Sequence, residues 1–385
     1  MTDNITKPIF QIRIFSLNYW LKPGNQAGEF HRFTTFVVDM NLDETYMQRC
    51  LELARHGLGH VSPNPMVGAV IVKDDAIIGE GYHRKIGEAH AEVNAIASVE
   101  NQADLTSSTM YVNLEPCVHH GKTPPCTDLI IRKGIPNVVI GMTDPNPKVA
   151  GKGVKKLRDN GVEVITGVLE EEAKELNRRF ITFFTQKRPY IILKWAETRD
   201  GFIDVKRPVD RSSHPSWITN KFGKMLVHKW RTEEDAFMVG THTAIMDNPQ
   251  LTVREWTGRN PLRVSIDYDG TLPQDLSLFN DDADSLVFTG KENSESGRLK
   301  RLFISSRKDN IQEILSLLYQ QNVQSLVVEG GAELLNSFIN KGLWDEARVF
   351  VGEYHFGEGV EAPRIRGVKM KHQQFGNSEL KILNR

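Results

Sequence analysis

A chain of 385 residues is long for one hydrophobic core and predicts two domains. Its 39% apolar and 25% charged residues are those of an ordinary globular protein, and a net charge of -1 excludes a global field that would draw in nucleic acid or an anionic membrane. Three cysteines, Cys50, Cys117 and Cys126, are too few for a disulfide framework and point to a reducing compartment where thiols bind metal or do chemistry.

In chain order, residues 1–39 contain "IFQIRIFSLNYWLKPG", where Arg13, Asn18 and Lys22 interrupt the apolar run and no small-residue cleavage site follows. That pattern argues against a secretory signal. No stretch reaches the roughly 18 apolar residues of a membrane helix. The segment is expected to be a poorly ordered extension to a domain starting near Met40, itself a candidate true start. "DETYMQRCLELARHG" (43–57) has apolar residues at helical spacing and a terminal Gly, which predicts an amphipathic helix with Cys50 in the core. "MVGAVIV" (66–72) and "AIIGEGY" (76–82), joined by Lys-Asp-Asp, predict a hairpin.

A helix opening at "HAEVNAIAS", a strand at 109–114, a helix at 126–134, a strand at 137–142, a helix at 151–161 and a strand at 162–168 follow. Such alternation predicts an α/β layer domain. "TQKRPY" (185–190) is a basic joint, after which strands at 190–196, 236–240, 262–268, 285–290, 301–305, 325–331 and 346–352 accompany helices around 219–231 and 332–341. The second half therefore reads as another α/β domain.

Chemistry enters with His90-Ala91-Glu92 and Pro116-Cys117, which match the H-x-E and P-C parts of the zinc nucleobase deaminase pattern. The second cysteine of that pattern follows after two residues, whereas eight separate Cys117 from Cys126. A hydrolytic zinc site needs three protein ligands and an open position, and His90, Cys117 and Cys126 supply three, each at or near a predicted helix start that favours thiolates. Zinc lowers the pKa of its water from 15.7 to about 7. Glu92 can take that proton and deliver it to the ring nitrogen and departing ammonia. The competing reading is a closed structural site from Cys117, His119 or His120, and Cys126. Structural sites use four ligands, commonly with two to four residues between paired cysteines, and this reading leaves "HAE" unexplained.

"SPNPMVGAVIVKD", "GEGYH", "HAEV", "LEPCVHHGKTPPC", "DPNPKVAGKG" and "GVLEEEAKELN" closely resemble the bifunctional riboflavin-biosynthesis deaminase/reductase family. Members share the eight-residue insertion between the zinc cysteines. The resemblance, from about Met40 to near the C-terminus, implies His90, Cys117 and Cys126 as ligands and Glu92 as proton shuttle. It places His119, His120 and Lys122 on the insertion, lining the pocket, with Asn64 beside the pyrimidine ring. Ala69, Asn94 and Val118 stand where Cys, His and Ser are expected, and none carries the proposed chemistry.

In the second half no G-x-G-x-x-G follows the first strand, so a Rossmann cofactor site is not supported. "SLVVEGGAELLNSFI" gives an apolar strand, Glu329, paired glycines and a helix, a turn where backbone N–H groups can approach a phosphate. "LKWAETRDG", "WIT", "VHKWR", "VGTHTAIMDNPQLTVR" and "EGGAELL" resemble the reductase half of the same family, which is similar in fold to dihydrofolate reductase and reduces the ribosyl group to ribityl with NADPH. The resemblance implies cofactor contacts at Ala196, Trp217, Thr243, Asp247, Gly331, Ala332, Glu333, Leu334, Leu335, Asn336 and Ser337. It implies substrate contacts at Arg231, Leu251, Arg254 and Glu329. Two arginines suit a 5′-phosphate through charge-assisted bonds. Lys194 and Asp247 are candidates for the proton transfers that sugar-ring opening needs. Arg199 and "RSSHPSW" depart from the family pattern and leave the contact just before Trp217 open.

The expectation is thus an α/β protein: a cytidine-deaminase-like three-layer domain over 40–186 and a dihydrofolate-reductase-like α/β domain over 190–385. It is a cytoplasmic, bifunctional enzyme using Zn2+ and NADPH on a small phosphoribosylated pyrimidine, with no nucleic-acid or membrane partner. A homo-oligomer is expected, although no residue specifies it. The rivals are a nucleic-acid base deaminase with an accessory domain, disfavoured by the near-neutral charge, and a non-catalytic zinc module.

Overall fold

A computed structural model of the chain describes residues 41–385 except 119–123, 148, 208–216, 309 and the side chains at 369 and 370. The extension expected over 1–39, the insertion residues His119, His120 and Lys122, and residues 211–216 of "RSSHPSW" lie outside the described residues.

The first half comprises α1 (Leu42–Arg55), β1 (Gly68–Lys73), β2 (Ala76–Tyr82), α2 (Ala91–Ser98), β3 (Thr109–Leu114), α3 (Cys126–Lys133), β4 (Asn137–Met142), α4 (Lys152–Asp159), β5 (Glu163–Thr166), α5 (Glu170–Leu176) and α6 (Arg178–Gln186). A capping box between Asn41 and Glu44 starts α1. The sheet runs β2-β1-β3-β4-β5, with β1 antiparallel to both neighbours and β3, β4 and β5 parallel. Side chains alternate across a strand. Val70 and Val72 therefore pack with Tyr46, Met47, Cys50 and Leu53 of α1 on one face. Ala69 and Ile71 pack with Ala95 and Ile96 of α2, Ile130 of α3 and Leu157 of α4 on the other. The result is three layers, with Cys50 in the core as expected. Each fully buried Val, Leu or Ile contributes roughly 1.5–3 kcal/mol.

The second half comprises β6 (Tyr190–Glu197), β7 (Phe202–Asp204), α7 (Lys221–Glu233), β8 (Ala236–Val239), α8 (Thr241–Asp247), β9 (Leu262–Ile266), β10 (Ser285–Thr289), β11 (Ser294–Ser296) and β12 (Leu299–Phe303). Next come α9 (Ile311–Gln320), β13 (Ser325–Glu329), α10 (Ala332–Lys341), β14 (Glu346–Val351), β15 (Val360–Glu361), β16 (Val368–Phe375) and β17 (Ser378–Asn384). Among the described residues the main sheet runs β11-β12-β10-β9-β8-β13-β6-β14-β17-β16. Its strands from β12 to β14 are parallel, and antiparallel strands close both edges. Ile191, Leu193 and Trp195 of β6 face α9 and α10, while Tyr190 and Ile192 face α7. Both faces of a parallel sheet are covered, as its continuous apolar strands require.

The sequence reading did not anticipate α5, α6, α8, α9, the short strands β7, β11 and β15 or the β16–β17 hairpin, although Ile311, Ile314, Leu315 and Leu318 of α9 recur at helical spacing. The strand "VKMKHQQF" is rich in Lys, His and Gln and carries no clear apolar alternation. Pairing of β17 with β14, which buries Leu380, brings the hairpin onto the sheet instead.

Candidate active sites

The first site gathers around the start of α2. His90 is its N-cap in extended conformation, leaving the ring free of capping, and Glu92 lies buried in the first turn. Cys117 follows the end of β3 by three residues, and Cys126 is the first residue of α3. His90 Nδ1 lies 3.7 Å from Cys117 Sγ and 3.3 Å from Cys126 Sγ. All three ligand atoms fall within 4.8 Å of one another. Tetrahedral zinc with Zn–S near 2.3 Å and Zn–N near 2.0–2.1 Å would set its ligands roughly 3.5 Å apart, so the donor set fits zinc in chemistry and spacing. The N–H of Cys126 donates to Cys117 Sγ at 3.3 Å, and hydrogen bonding from Cys126 and His90 holds the Cys117 thiol below its ordinary pKa. Burial, reinforced by Cys117, raises the Glu92 carboxyl, which suits a proton carrier.

Gly81 of β2 lets α2 approach this closely: a Cβ there would lie 2.3 Å from the Ala95 nitrogen. Asn94 donates to Tyr82 O and Ala89 O, fastening α2 to the strand before it.

Two residues escaped the reading of the sequence although motifs containing them stood out. His83, which closes "GEGYH", sets Nε2 3.0 Å from Asn64 Nδ2 and Nδ1 3.1 Å from Ala89 O. Its ring centroid lies 5.4 Å from that of His90, and burial lowers its pKa, keeping it neutral. Glu115, which opens "EPC", accepts from the backbone N–H groups of Asp144, Gly151, Gly153 and Val154 at 2.8–3.1 Å. That one carboxylate holds "DPNPKVAGKG" against the cysteine segment.

The second site lies at the C-terminal ends of parallel strands, where open α/β sheets bind ligands. Lys194 and Glu329 are direct partners across β6 and β13, with Nζ and Oε1 3.7 Å apart. Buried Arg231 donates to Thr252 O at 3.0 Å and to Glu329 Oε2 at 3.2 Å. Exposed Arg254 donates to Gln250 Oε1 at 2.6 Å, and its backbone N–H donates to His228 Nδ1 at 3.0 Å. Burial and the neighbouring Arg231 and Arg254 lower the His228 imidazole to about 4, so it is neutral at pH 7. Leu251 is buried with φ of 52°, a strained backbone for a branched side chain.

Gly330 and Gly331 have φ of 73° and 62°, and a Cβ on either would come 3.0 Å from the Thr243 side chain. The turn, Thr243 and the N-terminus of α10 thus form a cradle that only glycine permits, and Leu334 of α10 lies beside Gly240 at the start of α8. The backbone N–H groups of such a turn at a helix N-terminus suit a phosphate such as NADPH carries. Ala196 ends the same row of strands on β6, half buried. Asp247, at the far end of α8, pairs with Arg207 at 2.7 Å instead of joining the Thr243–Gly331 contact. Trp217 is 65% exposed with Lys224 Nζ 5.0 Å from its ring centroid.

Comparison with known proteins addresses the chain in two blocks. Residues 40–142 match the cytidine and deoxycytidylate deaminase zinc-binding region, and residues 189–381 match the RibD C-terminal domain. The chain is 43% identical to the riboflavin biosynthesis protein RibD of Aquifex aeolicus over 324 residues, 83% of this chain and 89% of that one. It is 35% identical to RibD of Escherichia coli over 327 residues, 80% of this chain and 87% of that one. Among solved structures, it is similar to a diaminohydroxyphosphoribosylaminopyrimidine deaminase/5-amino-6-(5-phosphoribosylamino)uracil reductase from Thermotoga maritima. There identity is 41% and the TM-score 0.80, covering 89% of this chain and 98% of that one.

Proposed function

Because the chain belongs to the riboflavin biosynthesis protein RibD family, we propose how its own residues divide the family's two reactions. The enzyme is bifunctional, a zinc-dependent pyrimidine deaminase and an NADPH-dependent reductase of riboflavin biosynthesis. Its first substrate is a diaminopyrimidinone carrying a phosphoribosylamino group, and reduction then converts the ribosyl group to a ribityl chain.

Zinc, held by His90, Cys117 and Cys126, supplies a Lewis acid that makes water nucleophilic near neutral pH. Glu92 would carry one proton of the attacking water to the ring nitrogen and then the second, from the hydroxyl so formed, to the amine, which leaves as ammonia when the C–N bond breaks. Asn64, fixed by His83, meets the pyrimidine edge. This assignment rests on the meeting of His90, Cys117 and Cys126 beside the buried Glu92.

NADPH supplies the hydride for the second step. The Gly331–Ser337 segment and Thr243 hold its phosphate, with Ala196, Trp217 and Asp247 as further contacts. Arg254 grips the substrate's 5′-phosphate. Arg231 holds Glu329 toward the sugar beside Leu251, and Lys194 is within reach to exchange a proton with the opening ring. The deaminase spans 40–186 and the reductase 190–385, supported by α6 ending at Gln186 and β6 starting at Tyr190. A cytoplasmic homo-oligomer is part of the same proposal. Three free thiols favour a reducing compartment, and among the described residues no helix is long and apolar enough to cross a membrane.

The test incubates the purified protein with the diaminopyrimidinone phosphoribosyl substrate, with and without NADPH. Ammonia release should require zinc and Glu92, and NADPH oxidation should follow deamination. Ammonia release that survives Glu92→Gln would sink the assignment. NADPH oxidation with no prior deamination would overturn the order.

A further inference from the structure

The loop between α1 and β1 carries Asn64, and much of what holds it comes from the other half of the molecule. Ser62 Oγ donates to Asp235 Oδ2 at 2.7 Å. Arg259 donates through Nε to Gly59 O at 2.7 Å and through Nη2 to Asp235 Oδ1 at 2.8 Å. Gln324 donates from Nε2 to Pro63 O at 2.7 Å and from its backbone N–H to Asp235 Oδ2 at 2.9 Å. The approach is close: a Cβ on Gly59 would lie 2.3 Å from Thr232 O at the end of α7. A small cavity of about 40 Å³, lined by residues that include Ser62, Asn64, Asp235 and Gln324, lies along the same seam.

On its inner side the loop presents Asn64 to His83, whose other nitrogen meets the carbonyl of Ala89, next to His90. Asp235 receives three donors, Ser62, Arg259 and the Gln324 N–H, so its carboxylate is the hub between the loop and the reductase sheet.

We infer that Asp235, with Arg259 and Gln324, is a positioning residue for the deaminase reaction, holding the loop so that Asn64 meets the pyrimidine. The reductase half thereby completes the substrate site of the other activity. The inference rests on the reading of Asn64 as a substrate contact. It leaves reduction untouched: Asp235 and Ser325 stand at the N-terminal ends of β8 and β13, whereas Glu329 and the Gly330–Gly331 turn stand at the C-terminal end. At about 3.3 Å per residue, the ends of the five-residue β13 are roughly 13 Å apart.

The test compares Asp235→Ala, Ser62→Ala, the double variant and Asn64→Ala in the full-length, zinc-loaded protein. Asp235→Ala removes the bonds from Ser62, Arg259 and the Gln324 N–H together and should raise KM for ammonia release about tenfold or more, with a smaller change in kcat and zinc content unchanged. NADPH oxidation of the already deaminated substrate should stay within twofold of the parent enzyme. Ser62→Ala removes the Ser62–Asp235 bond alone, from the opposite side and without touching the reductase sheet, and the double variant should be no worse than Asp235→Ala alone. Independent, multiplying effects of the two changes would overturn the positioning role, as would an unchanged KM in both single variants. Asn64→Ala separates the two ideas. If it raises KM while Asp235→Ala and Ser62→Ala do not, the inference fails and the reading of Asn64 stands. If Asn64→Ala leaves KM unchanged, that reading fails, and with it the route by which Asp235 acts.

Discussion

Glu92 shows how much one buried side chain can be asked to do. It lies in the first turn of α2, two residues from His90, with its carboxyl raised by burial. Glu92→Gln keeps size and burial but removes the carboxylate that can take up and return a proton. It should lower the ammonia-release kcat by a hundredfold or more while zinc content measured by atomic absorption stays at one per chain. His90→Ala should lose the metal, and His119→Ala should keep it. Chelation of zinc should abolish ammonia release yet leave NADPH oxidation of deaminated substrate intact, because Glu329, Arg231 and the Gly330–Gly331 turn draw nothing from the metal cluster. At this scale the candidate deaminase site was largely legible: His90, Glu92, Cys117 and Cys126 all stood out in short motifs. His83 did not, because a lone histidine at the end of a strand has no pattern until the fold puts Asn64 on one nitrogen and Ala89 on the other.

Among the elements, the cysteine segment and the loop after β4 behave as one piece through Glu115. Its carboxylate accepts four backbone N–H groups, including those of Gly153 and Val154 in the first turn of α4, where a negative charge also meets the helix dipole. Glu115→Ala strands those donors and should destabilise the protein by roughly 3 kcal/mol, read as a drop in Tm and in urea midpoint. Zinc affinity should fall with it, because Cys117 lies two residues away. Strand and helix positions were readable from alternation and helical spacing. The exceptions were α5, α6, α8, α9, the short strands β7, β11 and β15 and the β16–β17 hairpin. Ile311, Ile314, Leu315 and Leu318 of α9 do recur at helical spacing and were overlooked, whereas the hairpin has a weak local signal and is secured by pairing with β14, formed elsewhere in the chain.

Across the whole molecule, a buried ion network spans the seam between the halves. Arg179 of α6 pairs with Glu234, Arg348 bridges Glu234 at 3.0 Å to Glu346 at 2.5 Å, and Arg178 joins Glu346 at 2.6 Å. The Arg348 guanidinium also lies 4.5 Å from the centroid of Trp230. Glu234 is fully buried, and the charges of Arg179 and Arg348 outweigh burial, so its pKa is held far below the ordinary carboxylate value. A carboxylate whose folded pKa is depressed contributes stability above its unfolded pKa of about 4.3 and loses it as pH falls toward the folded value. Stability should therefore hold from pH 7 to about 5 and decline below that. Glu234→Gln leaves buried Arg179 without its carboxylate and Arg348 with Glu346 alone, and should cost about 3–5 kcal/mol at pH 7, with a shallower decline on acidification, measured by thermal melts across pH.

Taken alone, the sequence determined the two α/β halves and marked out His90, Cys117 and Cys126 as the proposed ligand triad, because apolar periodicity and motif spacing are local properties of the chain. Tertiary structure decided what joins the halves. Ser62 and Asp235 are 173 residues apart, and Arg178 and Glu346 are 168 apart. Polar residues in loops and at strand ends carry no period that announces a partner, and their pairing exists only once two sheets have packed. "EPCVHHGKTPPC" brings the two cysteines of the proposed zinc site within nine residues of each other, and the fold brings His90 to them. That the loop bearing Asn64 leans on a carboxylate of the reductase half is a fact only the packed molecule could supply.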